Sequence, residues 1–205
     1  MENNIILYGA SGHSKVIIDI LQSNNQTISL IIDDNPKSET ILGLHISHSK
    51  NVDLSDIKNM ILSIGNNKIR KKLHNSLRAN FVNAIHPKAV ISKHVFLGEG
   101  SVVMAGAVIN PDTNIGKHCI INTLAVVEHD CSISDFVHIS PNASLAGGVI
   151  VGEGSHIGIG ATIIQGIKIG KWVTIGAGAV IIKDIPDFAV VVGNPGKIIK
   201  YSKHE

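Results

Sequence analysis

The stretch VMAGAVINPDTNIGKHCII, residues 103–121, decides the fold because its long aliphatic residues recur at every sixth position. The same step of six continues without an insertion from Ile85 to Ile181 and gives seventeen aliphatic residues, one in each hexad. Four residues after each of them comes a small or β-branched residue, such as Ala107 or Cys119. A period of six matches neither the 3.6-residue repeat of a helix nor the alternation of a simple strand.

This period predicts a three-sided parallel coil over residues 85–186. Each side would be one short strand with a corner, so that eighteen residues complete one lap. The long aliphatic residues would stack inside the prism, the small residues would fill its corners, and successive laps would pair as parallel strands about 4.8 Å apart. Seventeen hexads predict between five and six laps. A three-sided prism also suits association into a homotrimer.

The composition excludes several classes of protein. The formal net charge of the 205 residues is +2 and 17% of them are charged, so no strong field predicts nucleic-acid binding. No apolar run approaches the ~18 residues that a membrane-spanning helix needs. The two cysteines, Cys119 and Cys131, fall at small-residue positions of the coil, where we expect them to be buried. Because the start, NNIILYGASGH, reads as a strand and not as a signal peptide, we expect a cytoplasmic protein.

Residues 1–84 show a different pattern, in which apolar strands alternate with helices. Strands are predicted at residues 5–9, 28–34 and 60–65, and helices at residues 12–23 and 67–77. Such alternation predicts a small, Rossmann-like parallel α/β domain. Residues 187–205 follow the last hexad and form a separate tail.

Polar residues or glycines lie at the carboxyl end of each predicted strand of this domain, where parallel sheets bind their ligands. These residues are Gly12 and His13 after the first strand, Asp33 and Asp34 at the end of the second, and Gly65 and Asn66 at the end of the third. A glycine turn that opens a helix favours an anion, and carboxylates suit hydroxyl groups or an amine. Two interpretations without a ligand also remain open. In one, the glycine turn serves chain geometry alone. In the other, the lysine-rich face of the helix that follows Asn66 is only solvated.

The stretch EHD, residues 128–130, places a histidine between two carboxylates. His129 is the third residue of its hexad and is not obliged to be buried, so it is either solvated or functional. A carboxylate bonded to one ring nitrogen would fix the tautomer and raise the basicity of the other nitrogen. One lap later comes Gly147, which we expect directly against His129, with its N–H open to a carbonyl oxygen. The sequence therefore predicts a reaction centre of Glu128, His129, Asp130 and Gly147.

Several segments of the chain resemble one family. YGASGH, IDD, IGNNKIRKK, the hexapeptide coil and the string EHDCSISDFVHIS are similar to those of the bacterial sugar acetyltransferases, which include the UDP-4-amino-sugar N-acetyltransferase of the bacillosamine pathway and sialic acid O-acetyltransferases. The resemblance covers nearly the whole chain. It implies a left-handed parallel β-helix, an exception to the right-handed crossover rule. It also implies that the six strand-end residues, Gly12, His13, Asp33, Asp34, Gly65 and Asn66, bind a nucleotide-sugar.

The resemblance implies roles on the coil as well. His129 would be the general base with Glu128 and Asp130 beside it, and Asp130 stands where the best-known amino-sugar enzyme has glutamate. The co-substrate, acetyl-CoA, would contact His138, Gly147, Gly176, Ala177 and Lys197. The tail would run along the CoA site, with Gly196 where alanine is usual. Active sites would lie at the subunit interfaces of the homotrimer, and no resident metal is expected.

Three alternatives remain open. O-acetylation of a sugar such as sialic acid would use the same coil and base, although the motifs of the small domain favour a nucleotide-linked amino-sugar, in particular a UDP-4-amino-4,6-dideoxy sugar. A structural coil without chemistry would not require the grouping around His129. His138 and His156 are one lap apart and should stack, which suggests a zinc site, but the H-x-x-x-x-H spacing of hexapeptide carbonic anhydrases is absent and His156 is expected to be a surface neighbour.

Overall fold

A computed structural model of the chain describes residues 4–54 and 59–202. It contains the two predicted parts, an α/β domain and a three-sided coil of parallel strands. The last residues of the predicted tail, 203–205, lie outside the described residues. Neither of the two described α-helices is long and apolar enough to cross a membrane.

The α/β domain has six strands and two helices. They are β1 (Ile5–Tyr8), α1 (Gly12–Ser23), β2 (Ile28–Asp33), β3 (Thr40–Ile41), β4 (Leu44–His48), β5 (Asn59–Leu62), α2 (Asn67–Ser76) and β6 (Asn80–Phe81). The sheet order is β3-β4-β2-β1-β5-β6, and only the β3–β4 pair is antiparallel among these described strands. The predicted strands and helices are confirmed, whereas the short β3–β4 hairpin was not predicted.

The coil consists of seventeen consecutive two-residue strands. They are Ala84–Ile85 (β7), Val90–Ile91 (β8), Phe96–Leu97 (β9), Val102–Val103 (β10), Val108–Ile109 (β11), Asn114–Ile115 (β12), Ile120–Ile121 (β13), Val126–Val127 (β14), Ser132–Ile133 (β15), His138–Ile139 (β16), Ser144–Leu145 (β17), Ile150–Val151 (β18), His156–Ile157 (β19), Thr162–Ile163 (β20), Lys168–Ile169 (β21), Thr174–Ile175 (β22) and Val180–Ile181 (β23). From β7 to β20, each strand pairs in parallel with the strand eighteen residues later, as the period predicted. At the end of the coil the offset is sixteen, as in the pair of Thr174 with Val190.

Three sheets form the sides of the prism. The front sheet contains β7, β10, β13, β16, β19 and β22, the second sheet β8, β11, β14, β17, β20 and β23, and the third sheet β9, β12, β15, β18 and β21. The second residue of each strand points into the prism, and from Val103 onward this column is buried. Cys119 and Cys131 are free thiols within the same core, as predicted.

A left-handed residue turns the chain at each corner. Positive φ angles recur at every sixth position from Gly100 to Gly178, and half of these fourteen positions are glycine. Asp130 is one of the exceptions, with a φ of 60°. Aspartate tolerates this region better than most residues, because its short polar side chain can form local hydrogen bonds. The corners therefore account for seven of the twenty glycines of the chain.

Two corners of the prism carry the residues of the candidate site and of the domain contact. The docking corner comprises the turns from the third sheet to the front sheet, residues 99–100, 117–118, 135–136, 153–154 and 171–172. The histidine corner comprises the turns from the second sheet to the third, residues 93–94, 111–112, 129–130, 147–148 and 165–166. The strands of the third sheet run from the histidine corner to the docking corner and so separate the two corners.

The α/β domain packs on the outer face of the front sheet. Ile17 and Leu21 of α1 belong to one buried cluster with Val102 and Ile120, which are outward residues of the first laps. Burial of these apolar side chains holds the domain to the coil. The outward residues of the next laps, beginning with His138, are polar and face the part of the domain that carries α2.

The tail extends the front sheet. Two strands follow the coil, β24 (Ala189–Val192) and β25 (Lys197–Tyr201). β24 pairs in parallel with β22, and β25 folds back antiparallel to β24.

Candidate active site

His129 and Asp130 form a hydrogen-bonded pair on the histidine corner. The Nδ1 atom of His129 lies 2.7 Å from Oδ2 of Asp130. This hydrogen bond is the largest cause that raises the pKa of His129 above its usual value. An Nδ1–H that donates to the carboxylate leaves the lone pair on Nε2, which is the tautomer that a general base requires. The His129 side chain remains 62% exposed in the single chain.

Gly147 lies against the imidazole of His129, as the period predicted. A Cβ atom on Gly147 would lie 2.6 Å from Cε1 and 2.8 Å from Nε2 of His129. Only glycine therefore leaves this ring in place. Gly148 donates its N–H to the carbonyl oxygen of His129 at 2.9 Å, whereas the N–H of Gly147 has no acceptor among the described residues. The open N–H lies next to the base, where it can stabilise a developing oxyanion.

Glu128 points away from the imidazole. Its Oε2 accepts a hydrogen bond from Nδ2 of Asn110 at 2.8 Å, one lap earlier in the coil. Its charge is the smallest of the causes that raise the pKa of His129. Glu128 therefore acts on the imidazole through its charge, while Asp130 makes the direct contact.

The two aspartates at the end of β2 differ in how their oxygens are used. Asp33 accepts hydrogen bonds from the N–H groups of Ala10 and Asn35, both at 2.8 Å, so its two oxygens hold the loops together. Asp34 accepts on Oδ1 from the hydroxyls of Tyr8 and Ser49, both at 2.6 Å. These two bonds hold the pKa of Asp34 below its usual value. Oδ2 of Asp34 has no partner in the described part of the chain and is available to a ligand.

His13 and Gly65 meet at the same edge of the sheet. The Cβ of His13 lies 4.0 Å from the place of a Cβ on Gly65. Burial, and secondarily the charge of Arg70, lower the pKa of His13 to about 4. Its Nε2 is buried without a partner among the described residues. Asn66, the next residue, caps α2 by accepting from the N–H of Ile69 at 3.1 Å. Of the predicted strand-end residues, His13 and Gly65 are thus brought together directly.

His138 and His156 stack on the outer face of the front sheet, with ring centroids 4.7 Å apart and planes inclined by 7°. Burial, followed by the charge of His156, lowers the pKa of His138 to about 2. Nε2 of His138 accepts from Nδ2 of Asn122 at 3.0 Å, because the Asn122 oxygen is fixed by the N–H of Thr123. The proton of this neutral imidazole therefore sits on Nδ1, which has no hydrogen-bond partner in the described residues. His156, expected at the surface, is half-buried and bonded to the Ser140 hydroxyl at 2.7 Å.

Arg70 fixes the α/β domain to the docking corner. It is 1% exposed, and its guanidinium donates to the carbonyl oxygens of His118 at 2.8 Å and Phe136 at 3.1 Å. Asn67 donates to the carbonyl oxygen of Gly154, the next lap of the same corner, at 3.1 Å. The described acceptors of Arg70 are uncharged, so its charge is not neutralised and lowers the pKa values of nearby histidines such as His13. The interpretation of the whole α2 face as merely solvated is therefore wrong at Arg70.

A cleft of about 750 Å³ opens between α2 and the coil. Its walls are Gly65, Asn66, Asn67, Lys68, Lys71, Lys72, Asn75, Gly154, His156, Trp172, Thr174, Phe188 and Ser202. Two of the predicted nucleotide-sugar residues, Gly65 and Asn66, therefore line it. Among the described residues, no group of three or more histidine, cysteine, aspartate or glutamate side chains is arranged to hold a metal ion.

Comparison with known proteins matches both parts of the chain. Residues 4–77 match the family model of the PglD N-terminal domain, and residues 148–183 match that of the bacterial transferase hexapeptide, six repeats. The structure of PerB from Caulobacter crescentus, in complex with CoA and GDP-perosamine, is 40% identical, with a TM-score of 0.90, over 96% of this chain and 97% of that one. The acetyltransferase domain of PglB from Neisseria gonorrhoeae, in complex with acetyl coenzyme A, is 35% identical, with a TM-score of 0.89, over 97% of this chain and 100% of that one. The chain belongs to the hexapeptide-repeat sugar acetyltransferase family.

This family also includes a relative known from its sequence. The UDP-N-acetylbacillosamine N-acetyltransferase of Bacillus subtilis is 42% identical over 111 residues. That match covers 50% of this chain and 51% of the relative, so the chain spans about half the length of that protein. Membership of the sugar acetyltransferase family makes the chain an acyltransferase, and the alternative of a coil without chemistry is set aside.

The single subunit of this acetyltransferase does not bring all the predicted residues together. Gly176 and Ala177 lie in a turn from the front sheet to the second sheet, and Lys197 begins β25, so none of them is on the histidine corner. His138 lies on the front sheet, a different side of the prism from that corner, and faces the α/β domain. Sequence reasoning did not single out Trp172 or Asn110. The pairing of Trp172 with Gly154, eighteen residues earlier, was a signal in the sequence, because a large corner residue lies over a glycine of the preceding lap.

Proposed function

We propose that this acyltransferase is an acetyl-CoA-dependent N-acetyltransferase that acts on a nucleotide-linked amino-sugar, with His129 as the general base. The observation that carries the proposal is the grouping of His129, Asp130 and Gly147, which joins an oriented base to an open peptide N–H. The relatives support the two substrates, because PerB is described with CoA and GDP-perosamine and the PglB domain with acetyl coenzyme A.

The first chemical step is removal of a proton from the attacking amine. A sugar amine is mostly protonated at neutral pH, so it first releases one proton to solvent, because only its neutral form attacks a thioester. Nε2 of His129 then accepts one of the remaining N–H protons as the nitrogen adds to the thioester carbon. Asp130 favours this transfer because its carboxylate stabilises the imidazolium that forms.

The second step is collapse of the tetrahedral intermediate. Its oxyanion is stabilised by the N–H of Gly147, the carbon–sulfur bond breaks, and the proton held by His129 passes to the departing CoA thiolate. The products are the amide and free CoA. Direct transfer is favoured over an acyl-enzyme because the two cysteines are buried and burial raises the pKa of Cys119 to about 12.

The active site is completed by a second subunit in a homotrimer. Two of the predicted nucleotide-sugar residues, Gly65 and Asn66, line the cleft between α2 and the coil, whereas His129 lies on the histidine corner, across the third sheet. The exposed imidazole also needs a cover that excludes water from the reacting thioester. The histidine corner of a second copy, seated against the front sheet, would supply His129 and close the site around acetyl-CoA. In that arrangement His138, Gly176, Ala177 and Lys197 contact acetyl-CoA from more than one subunit.

The Asp34 carboxylate supports a uridine nucleotide. Oδ1 is already bonded to two hydroxyls, which leaves Oδ2 for a ligand. Uracil offers one N–H donor, whereas guanine offers two adjacent donors that match both oxygens of a carboxylate. We therefore propose a UDP-4-amino-4,6-dideoxy sugar as the acceptor.

Release of free thiol from acetyl-CoA tests the proposal with a panel of UDP-, GDP- and CMP-linked sugars. We expect turnover with a UDP-linked 4-amino-sugar and its loss in His129→Ala. Turnover with a GDP-linked amino-sugar alone would show that the nucleotide of the substrate is GDP and not UDP. Turnover with hydroxyl acceptors alone, such as sialic acid, would overturn N-acetylation.

A further inference from the structure

The cleft between α2 and the docking corner carries a positive charge that its own residues do not neutralise. Lys68, Lys72 and Asn75 follow one another along one face of α2 and line this cleft. Neither Lys68 nor Lys72 has an ion pair among the described residues, and no carboxylate lines the cleft there. The cleft is therefore built for an anion.

The third lysine of the cleft has a different role. Lys71 is paired with Glu153 of the docking corner, and its Nζ lies 5.5 Å from the centre of the Trp172 ring. The Trp172 ring in turn lies over Gly154, whose missing side chain makes room for it. These contacts fix the indole as a wall of the cleft and leave Lys68 and Lys72 free to bind a ligand.

The position of the cleft defines which part of a nucleotide-sugar it would hold. The charge of Lys72 helps to lower the pKa of the Asp34 carboxyl, so this lysine lies near that carboxylate, whose Oδ2 is available. His156 and Thr174 of the front sheet line the same cleft as Lys72. A ligand that joins a nucleoside at Asp34 to a sugar at the front sheet would place its diphosphate beside Lys68 and Lys72.

We propose that Lys68 and Lys72 bind the diphosphate of the nucleotide-sugar in this cleft, with Trp172 as the adjoining wall. This inference rests on the proposed function and deepens it, because it assigns a charged part of the substrate to two lysines of the stretch IGNNKIRKK that were not among the predicted site residues. Two like charges one turn apart repel each other on an isolated helix. A bound diphosphate would remove that repulsion and neutralise both charges.

Trp172 provides a direct measurement, because it is the only tryptophan of the chain. Titration of the full-length protein with UDP, and separately with GDP, should change the tryptophan fluorescence and give a dissociation constant. Lys68→Met and Lys72→Met should each weaken binding roughly tenfold, the value expected for loss of one charge-assisted hydrogen bond. Lys88→Met, which changes an exposed lysine of the first lap, is the matched control and should leave the constant unchanged.

The outcomes separate this inference from the proposed function. Unchanged nucleotide affinity in both variants would overturn the inference, as would a fluorescence change with CoA but with neither UDP nor GDP. Thiol release in the wild-type protein would then still support the acetyltransferase proposal. Conversely, nucleotide binding that depends on Lys68 and Lys72, without acetyl transfer to any amino-sugar, would uphold the cleft and overturn the proposed reaction.

Discussion

The imidazole of His129 lies against Gly147, eighteen residues and one lap further along the coil. The contact joins two residues that are distant in the chain but fixed in register by the parallel pairing of β14 with β17 and of β15 with β18. Because every strand repeats this register, neither residue can shift without its whole lap. The coil thus serves as a rigid support for the imidazole of His129 on one of its corners.

Removal of the imidazole should abolish most of the activity without loss of the fold. His129→Ala should lower kcat by roughly 10² to 10⁴, the usual contribution of a general base, and leave the KM for acetyl-CoA nearly unchanged. His94→Ala is the matched control, since His94 is an exposed histidine on the same corner two laps earlier. Steady-state thiol release measures both variants, and near-normal turnover of His129→Ala would contradict the assignment.

A methyl group on Gly147 should displace the base. In Gly147→Ala the new Cβ would meet the exposed ring of His129, which can move away, so we expect kcat to fall at least about tenfold with little loss of stability. Gly152→Ala is the contrasting variant, because its Cβ would lie 2.6 Å from the backbone carbon of Gly170. That change should lower stability and leave the turnover of the folded fraction unchanged. Equal kcat in the two variants would argue against a role for the Gly147 contact.

The pH dependence of activity should report the hydrogen bond from His129 to Asp130. The carboxylate raises the pKa of His129, so its removal in Asp130→Asn should lower that pKa. Since the base acts in its neutral form, the acid limb of the kcat/KM profile should move to lower pH, and the maximum should fall because the base is weaker. An acid limb that stays in place would mean that Asp130 does not set the basicity of His129.

Arg70 should be a main contributor to the attachment of the α/β domain. Arg70→Met removes donors to the buried carbonyl oxygens of His118 and Phe136 and should lower the free energy of unfolding by on the order of 3 kcal/mol. Arg78→Met changes an exposed arginine just after α2 and should alter the free energy of unfolding by less than about 0.5 kcal/mol. Chemical denaturation followed by far-UV circular dichroism compares them, and equal losses would refute the role of Arg70.

Buried neutral histidines should make the protein sensitive to mild acid. The folded-state pKa values of His13 and His138 are about 4 and about 2, below the unfolded value of about 6.5. As the pH falls from about 6.5 to about 4, the unfolded state binds protons that the folded state does not, so each group lowers the free energy of unfolding by up to about 1.4 kcal/mol per pH unit. Denaturation curves across this range should show the decline, and His138→Gln should make it shallower. A stability that does not change with pH would contradict the burial of these rings.

Sequence reasoning succeeded wherever residues are related by a fixed number of positions. The step of six predicted every strand of the coil, and the lap of eighteen predicted the contacts of His129 with Gly147 and of His138 with His156. Alternation of apolar strands and helices predicted α1 and α2 nearly to the residue. The β3–β4 hairpin was missed because two-residue and five-residue strands carry too short a pattern to stand out.

Sequence alone determined the coil and the contact of His129 with Gly147, since a repeated backbone hydrogen-bond register converts sequence spacing directly into spatial distance. Only the tertiary structure decided that Arg70 and Asn67 bind the docking corner, and that α2 and Trp172 enclose a cleft. These contacts join a helix of one domain to corners of another, and no constant spacing links their positions. They depend on how apolar faces pack and on which buried carbonyl groups require a donor, and both are settled only when the two parts meet.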